Sequence, residues 1–169
     1  MKAYIELLEN GSLPFYAHPG DAGMDIRAKE DVILRPRETK VVKTGIKIAV
    51  PEGYEIDVRP RSGLSLKTPL RVCNAPGTID SGYRDEIGVI IQNTSLPFHL
   101  DENNNIVRNE EEYDLNTSGN LEGTYVIKKG DRIAQLVFMK HEIVDFEKID
   151  NIKTIENDRK SGFGGSGIK

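Results

Sequence analysis

Tyr54, Ile56 and Val58 alternate with Glu55, Asp57 and Arg59. That two-residue period belongs to a strand with one buried face and one wet face. Short segments of similar character recur as AYIELL (3–8), DVILRP (31–36), KVVKTGIKIAV (40–50), RVCNA (71–75), EIGVIIQN (86–93), YVIKK (125–129), IAQLVFMK (133–140) and IVDFEKI (143–149). Gly, Pro, Asp or Asn bound most of them. No segment keeps a helical period for three turns, and RSGLSLKT (61–68) reads as one short helix. Many short strands at this spacing predict an all-β subunit: an antiparallel sandwich, jelly roll or barrel.

Two stretches break the pattern. Residues 94–124 carry seven acidic side chains and one basic, while the whole chain has a net charge of −4. The remainder is therefore slightly basic. This acidic, asparagine-rich stretch reads as a long inserted loop, partly mobile, with room for a short hairpin. The glycine-rich end, 157–169, places Phe163 among four glycines. It fits either a loose terminus or a segment that closes over a ligand.

A length of 169 residues fits a single domain, 1–169. The lone Cys73 excludes an internal disulfide, hints at a reducing compartment, and reads as a buried strand residue. The start, MKAYIELLENG, lacks the apolar run of a signal peptide, and no stretch approaches a membrane span. A soluble, cytoplasmic chain without a membrane partner is expected. Basic residues form no stripe, which argues against long nucleic acid. A small polyanion held by a few arginines fits the charge.

The candidate chemistry lies in short segments. His18, His99 and His141 are far apart and suggest no metal cluster. In PRSGLSLK (60–67), Arg61 offers a fork of donors, and backbone N–H groups near Ser62 and Gly63 can face phosphate oxygens. Taken alone, those residues read more readily as a proline-led turn with a surface arginine. Asp25 in DAGMDIRA (21–28) is a strand-entry aspartate, and Gln135 in GDRIAQLVF (130–138) is a polar residue among apolar ones that needs a partner. In GTIDSGYRDEIGV (77–89), turn chemistry accounts for Asp80, Ser81 and Gly82. It does not account for Gly77 or for Tyr83.

In chain order, AGMDIRA, PRSGLSLK, NAPGTIDSGYRDEI, GDRIAQLVF and RKSGFGGSG resemble the five motifs of the trimeric dUTPases (deoxyuridine triphosphate nucleotidohydrolases). The resemblance runs from about residue 20 to the end, and the second and third motifs are the specific ones. It implies a jelly-roll-like subunit, and a homotrimer with three shared sites. It also implies Mg²⁺-dependent hydrolysis of dUTP to dUMP and pyrophosphate, which limits uracil in DNA and supplies dUMP for dTMP synthesis. By the same resemblance, Asp80 orients and deprotonates the attacking water, and Tyr83 lies under the deoxyribose. Asn74 and the backbone at Gly77 and Ile79 read base and sugar. Arg61, Ser62, Gly63 and Gln135 bind phosphates, and Asp25 holds the hydrated magnesium. Phe163 stacks on uracil, while Arg159 and Ser166 reach the phosphates from a tail that closes over a neighbouring site.

The chain departs from the pattern in three places. Asp85 stands where the family usually has glycine. The tail is one residue shorter between arginine and phenylalanine, so Lys160 is an alternative to Arg159. The acidic insertion, 94–124, exceeds a minimal subunit. Two other readings stand beside the main one: a dCTP deaminase-like enzyme and a non-catalytic nucleotide-binding module. The deaminase is disfavoured because Ile90 occupies the place of its catalytic glutamate, ten residues after the aspartate.

Overall fold

The computed structural model describes residues 1–156. The described chain is nearly all β. Its strands are β1 (Tyr4–Leu7), β2 (Phe15–Tyr16), β3 (Met24–Arg27), β4 (Val32–Leu34), β5 (Thr39–Lys43), β6 (Ile46–Ala49), β7 (Tyr54–Arg59), β8 (Leu70–Val72), β9 (Gly77–Ile79), β10 (Gly88–Asn93), β11 (Phe98–Leu100), β12 (Ile106–Arg108), β13 (Glu112–Asp114), β14 (Thr124–Ile127) and β15 (Arg132–Lys140). One six-residue helix, α1 (Ser62–Lys67), follows β7.

The largest sheet has the order β2-β3-β15-β7-β9, and smaller sheets join β5-β10-β8, β13-β14-β4 and β1-β6. Pairing is antiparallel except between β13 and β14. In β7 Ile56 and Val58 enter the core with Leu34, Val42, Ile91 and Leu136 as the sequence predicts, but the other face is not wet, since Asp57 is buried as well. Asp57, on the other face, is held by Arg59 at 2.7 Å.

Most predicted strands are present, and α1 occupies the predicted helical stretch. The segment 143–149 is a correction, because it forms no strand. Its pattern describes a half-buried ribbon but supplies no partner. The preceding β15 lies between β3 and β7 in the sheet, with its last residues, Val137 to Lys140, paired to β7 alone, and no described strand pairs with 143–149. Ile143, Val144 and Phe146 are accordingly exposed, Phe146 at 94%. Cys73 is a second correction. β8 ends at Val72, so Cys73 opens the following turn and is exposed instead of buried.

The acidic insertion is built into the fold. It forms the hairpin β11–β12 and then β13, which adds a parallel strand to β14. Buried Asn93, at the end of β10, fastens its base. The Asn93 amide donates to Leu34 O at 2.9 Å and Gly123 O at 2.7 Å, and its Oδ1 accepts from Ser95 N at 3.0 Å. A buried amide with both ends satisfied ties three segments at one point.

Candidate active site

The predicted site residues fall into two groups. The first surrounds β9 and the turn after it. Asn74, Gly77, Ile79, Asp80 and Tyr83 line a cavity of about 190 Å³, with Val58, Ile87 and the start of β10 behind them. Gly77 pairs with Val58 of β7. A Cβ on Gly77 would come within 2.8 Å of the Asn74 amide nitrogen. The glycine therefore lets the Asn74 side chain fold over the strand, a close approach that any larger residue blocks.

The turn is stapled at several points. Tyr83 N donates to Asp80 O at 3.1 Å, and the Tyr83 hydroxyl donates to Glu86 O at 3.0 Å. The Glu86 carboxylate accepts from Gly45 N at 2.9 Å and pairs with Lys29 at 3.0 Å. Burial pushes the Glu86 carboxyl up, but these hydrogen bonds and Lys43 outweigh it and hold it below the ordinary range. Asp80 is exposed at the cavity rim, and no described residue donates to its carboxylate. Asp85 has no left-handed backbone, so this position does not require the family's glycine.

The second group lies on the outer face of the largest sheet. Gln135 of β15 stands directly opposite Asp25 of β3, and Arg59 of β7 faces Gln135 from the other side. Asp25 is only 3% exposed. Its Oδ1 accepts from Arg61 Nε at 2.8 Å and Gln135 Nε2 at 3.2 Å, and its Oδ2 accepts from Arg132 Nη1 at 3.0 Å. The partner that Gln135 needs is thus this carboxylate. Arg61 and Gly63 line a cavity of about 250 Å³ with Arg27, Lys67 and Arg132. Ser62 begins α1 beside it and is exposed.

Arg132, Arg27 and Lys67 are additional cations that sequence reasoning passed over. A bulge between Arg132 and Ala134 explains the first. In a regular strand Arg132 and Gln135 point to opposite faces, and the extra residue brings both to Asp25. An arginine three residues before a half-buried glutamine among apolar neighbours was the available signal.

No described residue lines both cavities. The aspartate and the arginine cluster therefore belong to separate pockets of one chain. Arg159, Lys160, Phe163 and Ser166 lie outside the described residues. Among the described residues, no group of three or more His, Cys, Asp or Glu could hold a metal ion, and no helix is long and apolar enough to cross a membrane.

Residues 9–108 and 118–167 match the family model for dUTPase. The chain is 39% identical over 170 residues to a deoxyuridine 5'-triphosphate nucleotidohydrolase of Finegoldia magna, covering 99% of each chain. A mutant dUTPase of Staphylococcus bacteriophage 80alpha, solved with dUpNHpp, superposes with a TM-score of 0.77 at 31% identity and covers 99% of both chains. A mutant dUTPase of phage phi11 of S. aureus, solved with a structural Mg(II) ion, gives a TM-score of 0.72 at 32% identity, covering 90% of this chain and 99% of that one. The subunit has their jelly-roll-like fold, and the chain belongs to the dUTPase family.

Proposed function

We propose that the protein hydrolyses dUTP to dUMP and pyrophosphate by attack of water at the α-phosphorus, with the whole chain, 1–169, acting as one domain. The observation that carries this reading is the cavity around β9, with Asp80 unengaged at its rim. The strand backbone at Gly77 and Ile79 and the Asn74 amide offer fixed donors and acceptors for a uracil edge. A base with the wrong edge leaves buried polar groups unpaired and is strongly rejected. Tyr83 flanks the sugar, and its ring, fixed through its hydroxyl, leaves no room for a ribose 2′-hydroxyl.

Asp80 orients the water and takes its proton. Arg61, Ser62, Gly63 and Gln135 hold the phosphates, and Arg61 is aimed by Asp25. Residues Arg159, Phe163 and Ser166 close the site in this reading, Phe163 over the base and the other two on the phosphates.

A magnesium ion fits the donor set in one way. A lone carboxylate cannot cage it, so the triphosphate is the principal ligand. Among the described residues Asp25 Oδ2 accepts from Arg132 alone, which would leave a lone pair for a water of the ion. When bound, the ion neutralises charge on the leaving pyrophosphate.

The separate cavities favour a homotrimer in which the β9 cavity of one copy meets the arginine cluster of another. The exposed segment from Ile143 to Ile149 supports the same assembly, since its apolar residues lack cover from the described residues of their own chain. A cytoplasmic setting, with no nucleic-acid or membrane partner, belongs to this proposal. Ile90 lines the β9 cavity where a deaminase needs a glutamate.

Incubation with dUTP, dCTP and dTTP plus magnesium is expected to release pyrophosphate from dUTP alone and ammonia from none. Ammonia from dCTP would establish the deaminase instead. Binding without any product would establish a non-catalytic module.

A further inference from the structure

The acidic insertion reaches the phosphate cavity. After β13, Asp114 Oδ1 accepts from Asn116 N and Thr117 N, both at 2.9 Å, and from the Thr117 hydroxyl at 3.1 Å. These bonds, Thr117 first, fold residues 114–117 into a tight corner and, with one N–H of the Asn116 side-chain amide, hold the Asp114 carboxyl below the ordinary range, leaving the second amide N–H for the cavity. The corner is fastened at both ends. Upstream, β13 pairs with β14. Downstream, Asn120 N donates to Lys67 O at the end of α1, 2.9 Å away. Leu115 packs against the core, and Leu115 and Asn116 then line the cavity opposite Arg27, Arg61 and Arg132.

The charge distribution in this stretch is selective. Residues 110–116 read EEEYDLN, yet of these only the apolar Leu115 and the neutral Asn116 line the cavity. The Asp114 carboxylate is turned back into its own corner. The cavity itself presents four cations against the single carboxylate of Asp131, with Asp25 behind Arg61 and Arg132. Such a surface suits a polyanion, and the acidic segment meets it only through uncharged side chains. The corner also belongs to residues 109–117, which lie between the two stretches matched by the family pattern.

We propose that the corner at Leu115 and Asn116 is the outer wall of the phosphate site, and that the Asn116 amide donates to the distal phosphates. The wall makes binding depend on the length of the phosphate chain, so that a triphosphate or pyrophosphate is held and a monophosphate gains nothing from it. This proposal rests on the functional reading above.

The test uses the full chain with Asn116→Ala and Asn116→Asp. Asn116 is exposed, so both variants are expected to melt like the parent. Calorimetric titration with inorganic pyrophosphate is expected to show about tenfold weaker binding for Asn116→Ala, the size of a lost hydrogen bond to a charged group. Asn116→Asp weakens it further, because a carboxylate then faces the phosphates. The affinity for dUMP and the kcat for dUTP stay at parental values, while KM for dUTP rises. Unchanged pyrophosphate binding in Asn116→Asp, or no pyrophosphate binding by the parent, would overturn the wall. A parent that binds pyrophosphate through Asn116 but does not hydrolyse dUTP would instead remove the functional reading and leave the wall standing.

Discussion

Replacing Asp80 by asparagine is expected to lower kcat for dUTP by about 10²–10⁴-fold, the usual contribution of a positioned general base. Asparagine has nearly the same shape, and no described residue donates to the Asp80 carboxylate, so the turn loses no internal bond. The Tyr83 N–H bonds the Asp80 backbone oxygen, which the substitution keeps. Binding of a non-hydrolysable dUTP analogue should therefore be preserved while turnover collapses. Single-turnover kinetics and a calorimetric titration separate the two. Full activity in Asp80→Asn would remove the role assigned to this residue.

The second large effect belongs to Asp25. This carboxylate is the common anchor of Arg61, Gln135 and Arg132. Asp25→Ala leaves two guanidiniums facing each other without their counter-charge. Breaking a buried ion pair costs about 3–5 kcal/mol. Arg61 and Arg132 are 22% and 43% exposed, so water partly re-solvates them and the lower end, about 3 kcal/mol, applies. For a chain of this size that is a fall in Tm of roughly 10 °C. Released from Asp25, Arg61 also loses its aim at the phosphates, and kcat/KM is expected to fall by at least roughly tenfold. Asp25→Asn keeps the shape and one acceptor, so it should recover part of the melting temperature. Thermal melts of the two variants, set against their kinetics, check both statements. A parental Tm in Asp25→Ala would contradict the anchoring role.

Much of this architecture is legible in the sequence because strand periodicity and turn chemistry are local. Ile56 and Val58 announce a buried face whatever they pack against. Gly77 and the Asp80-Ser81-Gly82 turn mark a strand end with one unexplained close approach, which the Asn74 amide explains; the turn closes no hairpin, because β9 pairs with β7 while β10 pairs with β5 and β8. Three features depended on distant parts of the chain. The bulge that turns Arg132 toward Asp25 arises from pairing between β3 and β15. The exposed course of 143–149 follows from the lack of a described strand to pair with it. The return of the insertion to α1 depends on a backbone bond from Asn120 to Lys67, which no local pattern encodes. Segment order also hid the division of the site. Arg61 and Asp80 are close in sequence, yet they line different cavities.

That division gives the central claim its most direct test: Asp80 of one copy works with Arg61 of another. Asp80→Asn and Arg61→Ala chains, each nearly inactive alone, can be unfolded together and refolded as an equimolar mixture. A site built across copies draws each residue independently, so roughly a quarter of the sites regain both wild-type groups. Recovery of dUTP hydrolysis toward that fraction of the parental rate is the predicted result. No recovery above the separate variants, in a mixture whose mixed oligomers are seen by native mass spectrometry, would contradict it.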